Sequence, residues 1–182
     1  MQDIGSGTTL FPGVGVKNFL GNKMAFIGMT LESTPTIVSP AGVAGLLFND
    51  EADTVNALIP QIRAQGIETV VVLIHEGGFP TLTAGNCTGI SGAIVNIVNR
   101  LDPAVDLVIS GHTHQAYSCL INNAAGKPVR VTSAGQYARV LSDIDVTIDT
   151  RTKDVVAISN SNINVGNSTS ARTGWRAGDV EA

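Results

Sequence analysis

Two periodicities run through the chain. Residues 69–74 (TVVVLI) and 106–110 (DLVIS) are short, largely apolar and β-branched, the pattern of strands covered on both faces. Before the first of them, Val55, Leu58, Ile59 and Ile62 recur at i, i+3, i+4 and i+7, which predicts a helix over 50–65. Asn49 or Asp50 can cap its start and Gly66 ends it. Pro60, which lacks a donor and crowds the Asn56 carbonyl, predicts a kink. Ahead of the second strand, Ile94, Ile97, Val98 and Leu101 share one face of a helix over 91–101, stopped by Asp102-Pro103. Helix, short loop and strand thus occur twice, which predicts an α/β layered sheet with two main helices.

The flanking regions read as β. Residues 24–29 (MAFIGM) predict a buried strand, with 14–20 as its hairpin partner and Gly21-Asn22 as the turn. Pro35, Pro40, Gly42 and Gly45 mark 34–45 as a loop. A strand is expected at 129–133. Within 139–150, Ile144, Val146 and Ile148 alternate with Asp143, Asp145, Thr147 and Asp149, a strand with one wet face, and 154–158 pairs back to it. The Gly/Ser/Thr-rich residues 1–12 read as a flexible lead-in, 13–160 as the folded unit, and the Ser/Asn/Gly-rich 161–182 as a loosely held tail in which Trp175 is an anchor.

Composition narrows the class. Of 182 residues, 43% are hydrophobic and 14% charged, which excludes a disordered chain, and 2 Cys exclude a disulfide-dense miniprotein. The net charge is −4 and the basic residues are scattered, so no stripe exists to displace counterions from a nucleic-acid polymer. The longest wholly apolar run, 70–74, is far too short to span a bilayer. The opening residues lack a charged segment followed by an apolar one, so a signal peptide is not expected in this sequence.

All three histidines stand just beyond a buried strand. His75 follows VVVLI; His112 and His114 follow LVIS within Gly111-His112-Thr113-His114. Ligands of open α/β sheets gather at the carboxyl ends of strands. A single strand-end histidine is most simply a hydrogen-bonded structural residue. Three of three, with an i, i+2 pair, point instead to a metal site, and imidazole suits Mn, Zn, Co, Fe or Ni. Gly111 permits a sharp turn, and Gly77-Gly78 permit close backbone approach. Glu76 points away from His75, since neighbouring side chains diverge. Asp143, Asp145 and Asp149 are read as a solvated strand face. Asn86-Cys87-Thr88 and Asn167-Ser168-Thr169 have the form of glycosylation acceptors, which such short motifs adopt by chance.

The segments 71–78 (VVLIHEGG), 102–106 (DPAVD) and 110–117 (SGHTHQAY) resemble the calcineurin-like metallophosphoesterases, in particular the bacterial 5'-nucleotidase and 2',3'-cyclic phosphodiesterase branch. Phe26-Ile27-Gly28, Thr132-Ser133-Ala134-Gly135 and Arg139-Val140-Leu141 fit the same branch, and the resemblance runs from about Phe11 to Ile158. It implies half of a four-layer αββα sandwich. It also implies a two-metal site that activates a hydroxide for hydrolysis of nucleotide phosphate esters, with His75 and His112 on one ion and His114 on the other.

The family's Asp-x-His, Gly-Asp and Gly-Asn-His elements lie upstream of what corresponds to the start of this sequence, and none of them stands ahead of residue 71 here. Gly21-Asn22-Lys23 lacks the final His and reads as a turn. The resemblance therefore implies the C-terminal half of a catalytic domain, with catalytic residues expected upstream and none in this chain. A missing half or self-association would be its partner, and little or no phosphatase activity is expected of it alone. The rival expectation is a non-catalytic metal-binding or self-associating module. Because similar family members are exported, an extracellular, periplasmic or cell-surface setting is implied, and Cys87 with Cys119 as a disulfide rather than two free thiols.

Overall fold

The computed structural model describes residues 1–81, 87 and 89–166. Trp175, Asn167-Ser168-Thr169, Asn86 and Thr88 lie outside the described residues. At its centre is β5 (Thr69–Ile74), paired in parallel with β3 (Asn22–Met29) on one side and β6 (Val105–Ile109) on the other. Beyond β3 lies β2 (Val14–Phe19), antiparallel. Beyond β6 lies β8 (Pro128–Ala134), parallel, and then β7 (Ala116–Asn122), antiparallel, giving the six-stranded order β2-β3-β5-β6-β8-β7.

Helices α1 (Glu51–Arg63) and α2 (Ala93–Arg100) supply the two crossovers between the central parallel strands. Their apolar stripes, Ala52, Val55, Ile59 and Ile62 from α1 and Ile94, Ile97 and Val98 from α2, join the main core with Ile27, Val70, Val72, Val105 and Val108. The α1 pattern continues through Pro60 for three further residues. The opposite sheet face, Met24, Val71 and Leu107, is covered by Ile144, Val146, Ile148 and Ile158 of a separate hairpin, β9 (Val140–Ile148) with β10 (Val155–Asn164). Helices, six-stranded sheet and second sheet thus stack as α, β and β layers, the mixed α/β architecture expected from the repeated helix–strand unit.

Two polar joints set the register of these layers. Asn56 of α1 donates to the Arg100 carbonyl (2.9 Å) and accepts from the Asp102 amide (2.8 Å), so it closes the exposed end of α2. Asp50 caps α1 by accepting from the Asp53 amide (2.9 Å) and pairs with the Arg100 guanidinium (2.5 Å). That guanidinium holds the Asp50 carboxyl below its ordinary value, against the opposing effect of burial. A depressed carboxylate contributes stability above its unfolded value of about 3.9. That contribution is lost as pH falls through the lower folded value. Asp50→Ala is expected to cost about 1–2 kcal/mol at neutral pH in chemical denaturation. Asp50→Asn, which keeps a capping oxygen, should mainly flatten the loss of stability below about pH 4. An unchanged acid limb in Asp50→Asn would contradict this.

Several expectations need correction. The β2–β3 turn is Leu20-Gly21, not Gly21-Asn22: Asn22 already pairs with Phe19, and both turn residues have positive φ (52° and 89°), as a two-residue primed turn requires. The lead-in is not free, because β1 (Gln2–Asp3) pairs with β4 (Leu46–Leu47). Nor does the ordered chain end at residue 160. β10 continues to Asn164, and Asn162 bridges the two sheets by donating to the Tyr117 and Ser133 carbonyls (3.1 and 3.0 Å) and accepting from Ser142 (2.6 Å). Strand β7 was not foreseen at all.

Candidate metal centre

His75 and His112 leave the carboxyl ends of adjacent parallel strands, and that adjacency brings them together. Their rings sit 5.2 Å apart, edge to face at 66°. The His75 amide donates to the Met29 carbonyl (3.1 Å), so the third parallel strand also anchors the first histidine. A Cβ placed on Gly111 would lie 3.7 Å from His75 Nδ1; the imidazole therefore sits close over the Gly111 backbone. His112 and His114 both adopt positive φ (67° and 60°). Left-handed backbone is uncommon for residues other than glycine and concentrates at functional sites.

The loops carrying these residues are locked to each other. The Gly111 amide donates to the Glu76 carbonyl (3.2 Å), and Thr113 Oγ1 donates to the Gly78 carbonyl (2.9 Å). Tyr117, fully buried on β7, accepts from the Gly78 amide (3.1 Å) and lies 2.6 Å from Ser110 Oγ. Ser110 Oγ in turn donates to the Thr132 carbonyl (3.0 Å), which leaves its lone pair for the phenol proton. Burial pushes the Tyr117 phenol above its ordinary value, against the Ser110 and Gly78 bonds, so it stays a neutral hydrogen-bonding group. Glu76 turns back to accept from the Gly77 amide (2.8 Å).

The three imidazoles do not close on one point. His114 lies against the Tyr137 ring, 5.7 Å between centroids, while His75 and His112 face each other. Among the described residues, the ligand-type group whose atoms all lie within 4.8 Å of one another is Glu32, Asp50 and Glu51. Two of those carboxylates are engaged otherwise: Glu51 accepts from the Glu32 amide and Asp50 holds Arg100. Among the described residues the three histidines form no such group; the ring contacts they make are His75 with His112 and His114 with Tyr137.

Cys87 and Cys119 form a disulfide with Cα atoms 5.2 Å apart, tying the loop beyond Gly78 to β7 two residues from Tyr117. The spacing-based reading overlooked Tyr117. Its signal was present in the alternation of Tyr117, Cys119 and Ile121, all buried on one face of β7. The exposed Asp143 and Asp145 follow the wet-face pattern, and Asp149 accepts from the Arg151 amide (2.7 Å) in the β9–β10 turn.

The chain matches no known family profile. It is 34% identical over 152 residues to the cell wall protein Lmo0130 of Listeria monocytogenes, an alignment that takes in 78% of this chain and 18% of that protein. It is 29% identical over 148 residues to the trifunctional nucleotide phosphoesterase protein YfkN of Bacillus subtilis, covering 80% of this chain and 9% of that one. The calcineurin-like phosphoesterase YfkN structure superposes with a TM-score of 0.68 at 18% identity, over 89% of this chain and 53% of that one. A 5'-nucleotidase precursor from Thermus thermophilus gives 0.66 at 22% identity, over 84% of this chain and 29% of that one. In sequence and in fold the chain is similar to the 5'-nucleotidase branch of the calcineurin-like phosphoesterases. It spans about a fifth or less of the length of the curated relatives named here. The 5'-nucleotidase-type segment therefore corresponds to a limited stretch of proteins several times longer.

Proposed function

We propose that this chain is part of a metal-dependent phosphoesterase acting on nucleotide phosphate esters, with residues 13–160 forming the C-terminal half of its catalytic domain. His75, His112 and His114 are the imidazole ligands it contributes. The observation that supports this reading is the seating of His75 and His112 5.2 Å apart on interlocked loops at the carboxyl ends of neighbouring parallel strands. Neutral imidazoles fit a divalent transition ion such as Mn, Zn, Co, Fe or Ni. They fit only part of a two-ion centre, since among the described residues no metal-ligand group joins a carboxylate to these imidazoles to offset the charge of two divalent cations. The bridging carboxylate and the Asn-His pair are assigned to a preceding segment of a longer polypeptide.

Two divalent ions, when bound, supply the charge that activates water and clamps the phosphoryl oxygens. The residues of this chain have a positioning task. The Tyr117 phenol, Thr113 and the Gly111 amide hold the two histidine-bearing loops at fixed separation. Left-handed backbone at His112 and His114 sends the alternate side chains of one short loop to separate positions. A setting outside the cytosol is part of the proposal, supported by the Cys87–Cys119 bridge and by a relative described as a cell wall protein.

Phosphate release from AMP with added Mn, Co or Zn tests the reading. The chain alone is expected to give background rates, and a polypeptide that includes the preceding segment to give metal-dependent turnover. In that longer form His75→Ala and His112→Ala should lower turnover by more than about 100-fold, exceeding the loss typical of outer ligand partners. Robust turnover by the chain alone, or full activity in His75→Ala, refutes the assignment.

A further inference from the structure

The pole of the six-stranded sheet opposite the histidines carries the β2–β3 turn, Leu20-Gly21, with φ of 52° and 89°. Gly21 meets that geometry freely, and asparagine would tolerate the first position. Leucine does not, because its Cβ crowds the neighbouring carbonyl in left-handed backbone. The turn is fixed by the Gly21 amide donating to Asn18 Oδ1 (2.8 Å). Leu20 buries nothing in return: it is 103% exposed, and the adjoining Phe19 is 47% exposed. An exposed leucine by itself is ordinary. One held at a strained tip beside a phenylalanine calls for a contact outside the chain.

Three of the four lysines of the sequence surround this tip. Lys17 and Lys23 stand three positions before and after Leu20 on the paired strands, both exposed. Lys153, from the β9–β10 turn, donates to Asn22 Oδ1 (3.0 Å), a neutral acceptor that leaves its charge uncompensated. Among the described residues none of these three lysines has a carboxylate partner. Arg151 of the same turn is 83% exposed and loosely paired with Asp149 (3.8 Å). The acids of that turn fold back on the backbone: Asp149 and Asp154 accept from the Arg151 and Val155 amides (2.7 and 2.9 Å). The lysines are far apart in sequence, so no basic run announces them. The whole chain carries −4, which makes a basic apolar tip a segregated feature.

We infer that the β2–β3 tip is an interfacial anchor, which dips Leu20 and Phe19 into an anionic lipid surface while Lys17, Lys23 and Lys153 meet its headgroups. Apolar side chains ringed by ammonium groups settle at the boundary between headgroups and acyl chains, and each lysine adds attraction to an anionic surface. The lysine stems bury their methylenes there while the charge stays among the headgroups. A soluble polyanion would use the lysines and leave the apolar pair idle. A second copy meeting this tip across a two-fold axis would set lysines against lysines. The orientation also suits a phosphoesterase. β3 and β5 run in parallel from this pole toward the His75 rim, roughly 20 Å away by the rise of a six-residue strand. A bilayer on the tip therefore leaves the rim facing solution. The inference does not depend on the metal reading.

Co-sedimentation of the full chain with vesicles of phosphatidylglycerol and phosphatidylcholine in equal parts tests this, against vesicles of phosphatidylcholine alone. Binding is expected to the mixed vesicles only, and to fall as salt is raised. Leu20→Asn suits the left-handed turn, so it should melt at the same or a higher temperature while binding about tenfold more weakly. Lys17→Gln with Lys23→Gln, both at exposed positions, should weaken binding about 25-fold, from about fivefold per lysine. Arg139→Gln, at the histidine pole, should bind as the native chain does. Sedimentation with neither vesicle, equal sedimentation with both, or unchanged binding in Leu20→Asn overturns the inference. Self-association that Leu20→Asn abolishes, without vesicle binding, overturns it in favour of a second copy.

Discussion

Removing the Cys87–Cys119 bridge is expected to lower the stability of the chain by about 3.7 kcal/mol, from the chain-entropy relation applied to its sequence separation of 32. That is a large share of the roughly 5–15 kcal/mol that holds a domain of ordinary stability together. Cys87→Ser with Cys119→Ala is the suitable pair, since Cys119 is 1% exposed and a hydroxyl there would be buried. Urea midpoints with and without dithiothreitol should differ in the native chain and coincide in the double variant. A native midpoint unmoved by reductant that fully converts both thiols would show that the bridge does not constrain the unfolded chain. The effect should spread to the histidine loops, because Cys119 lies two residues from Tyr117, and Tyr117 grips both Gly78 and Ser110.

Gly77→Ala is the second large effect. A Cβ there would fall on the Gly111 carbonyl and within 2.6 Å of Thr113 Oγ1, so the loops bearing His75 and His112 would have to part. Overpacking of this kind costs about 1–3 kcal/mol, and backbone on one side leaves little room to relax. Loss of stability and of Co(II) uptake should appear together, read by denaturation and by the visible absorption of the bound ion. Gly28→Ala is the control: nothing lies within 4 Å of its Cβ, its φ is not positive, and its effect should be small. Equal behaviour of the two variants would contradict the interlocked loops.

The central layers were legible because each carried one unambiguous period. Residues 69–74 had no polar face to misassign, and Val55, Ile59 and Ile62 fall on the same side of α1 in sequence and in structure. What escaped was written in weaker local signals. The β7 alternation is blurred by Leu120, apolar yet 59% exposed. A leucine in left-handed backbone disguised the Leu20-Gly21 turn, since glycine and asparagine are the usual occupants. The Ser/Asn-rich end of β10 looked like loop because its polar groups are satisfied across the sheets, by Tyr117 and Ser133, at a distance no local pattern encodes. The strand-end position of all three histidines was readable, whereas the turning of His114 toward Tyr137 depends on a loop more than 20 positions later.

None of the bonds that fasten the two rim loops uses an imidazole. They run through the Gly78 and Gly111 amides, the Glu76 and Gly78 carbonyls, and the hydroxyls of Ser110, Thr113 and Tyr117. Frame and imidazoles are therefore independent modules: exchanging a histidine for a glutamine, an aspartate or a cysteine is expected to leave the frame its shape. A protein engineer could exchange the side chains of this rim without rebuilding what lies beneath it.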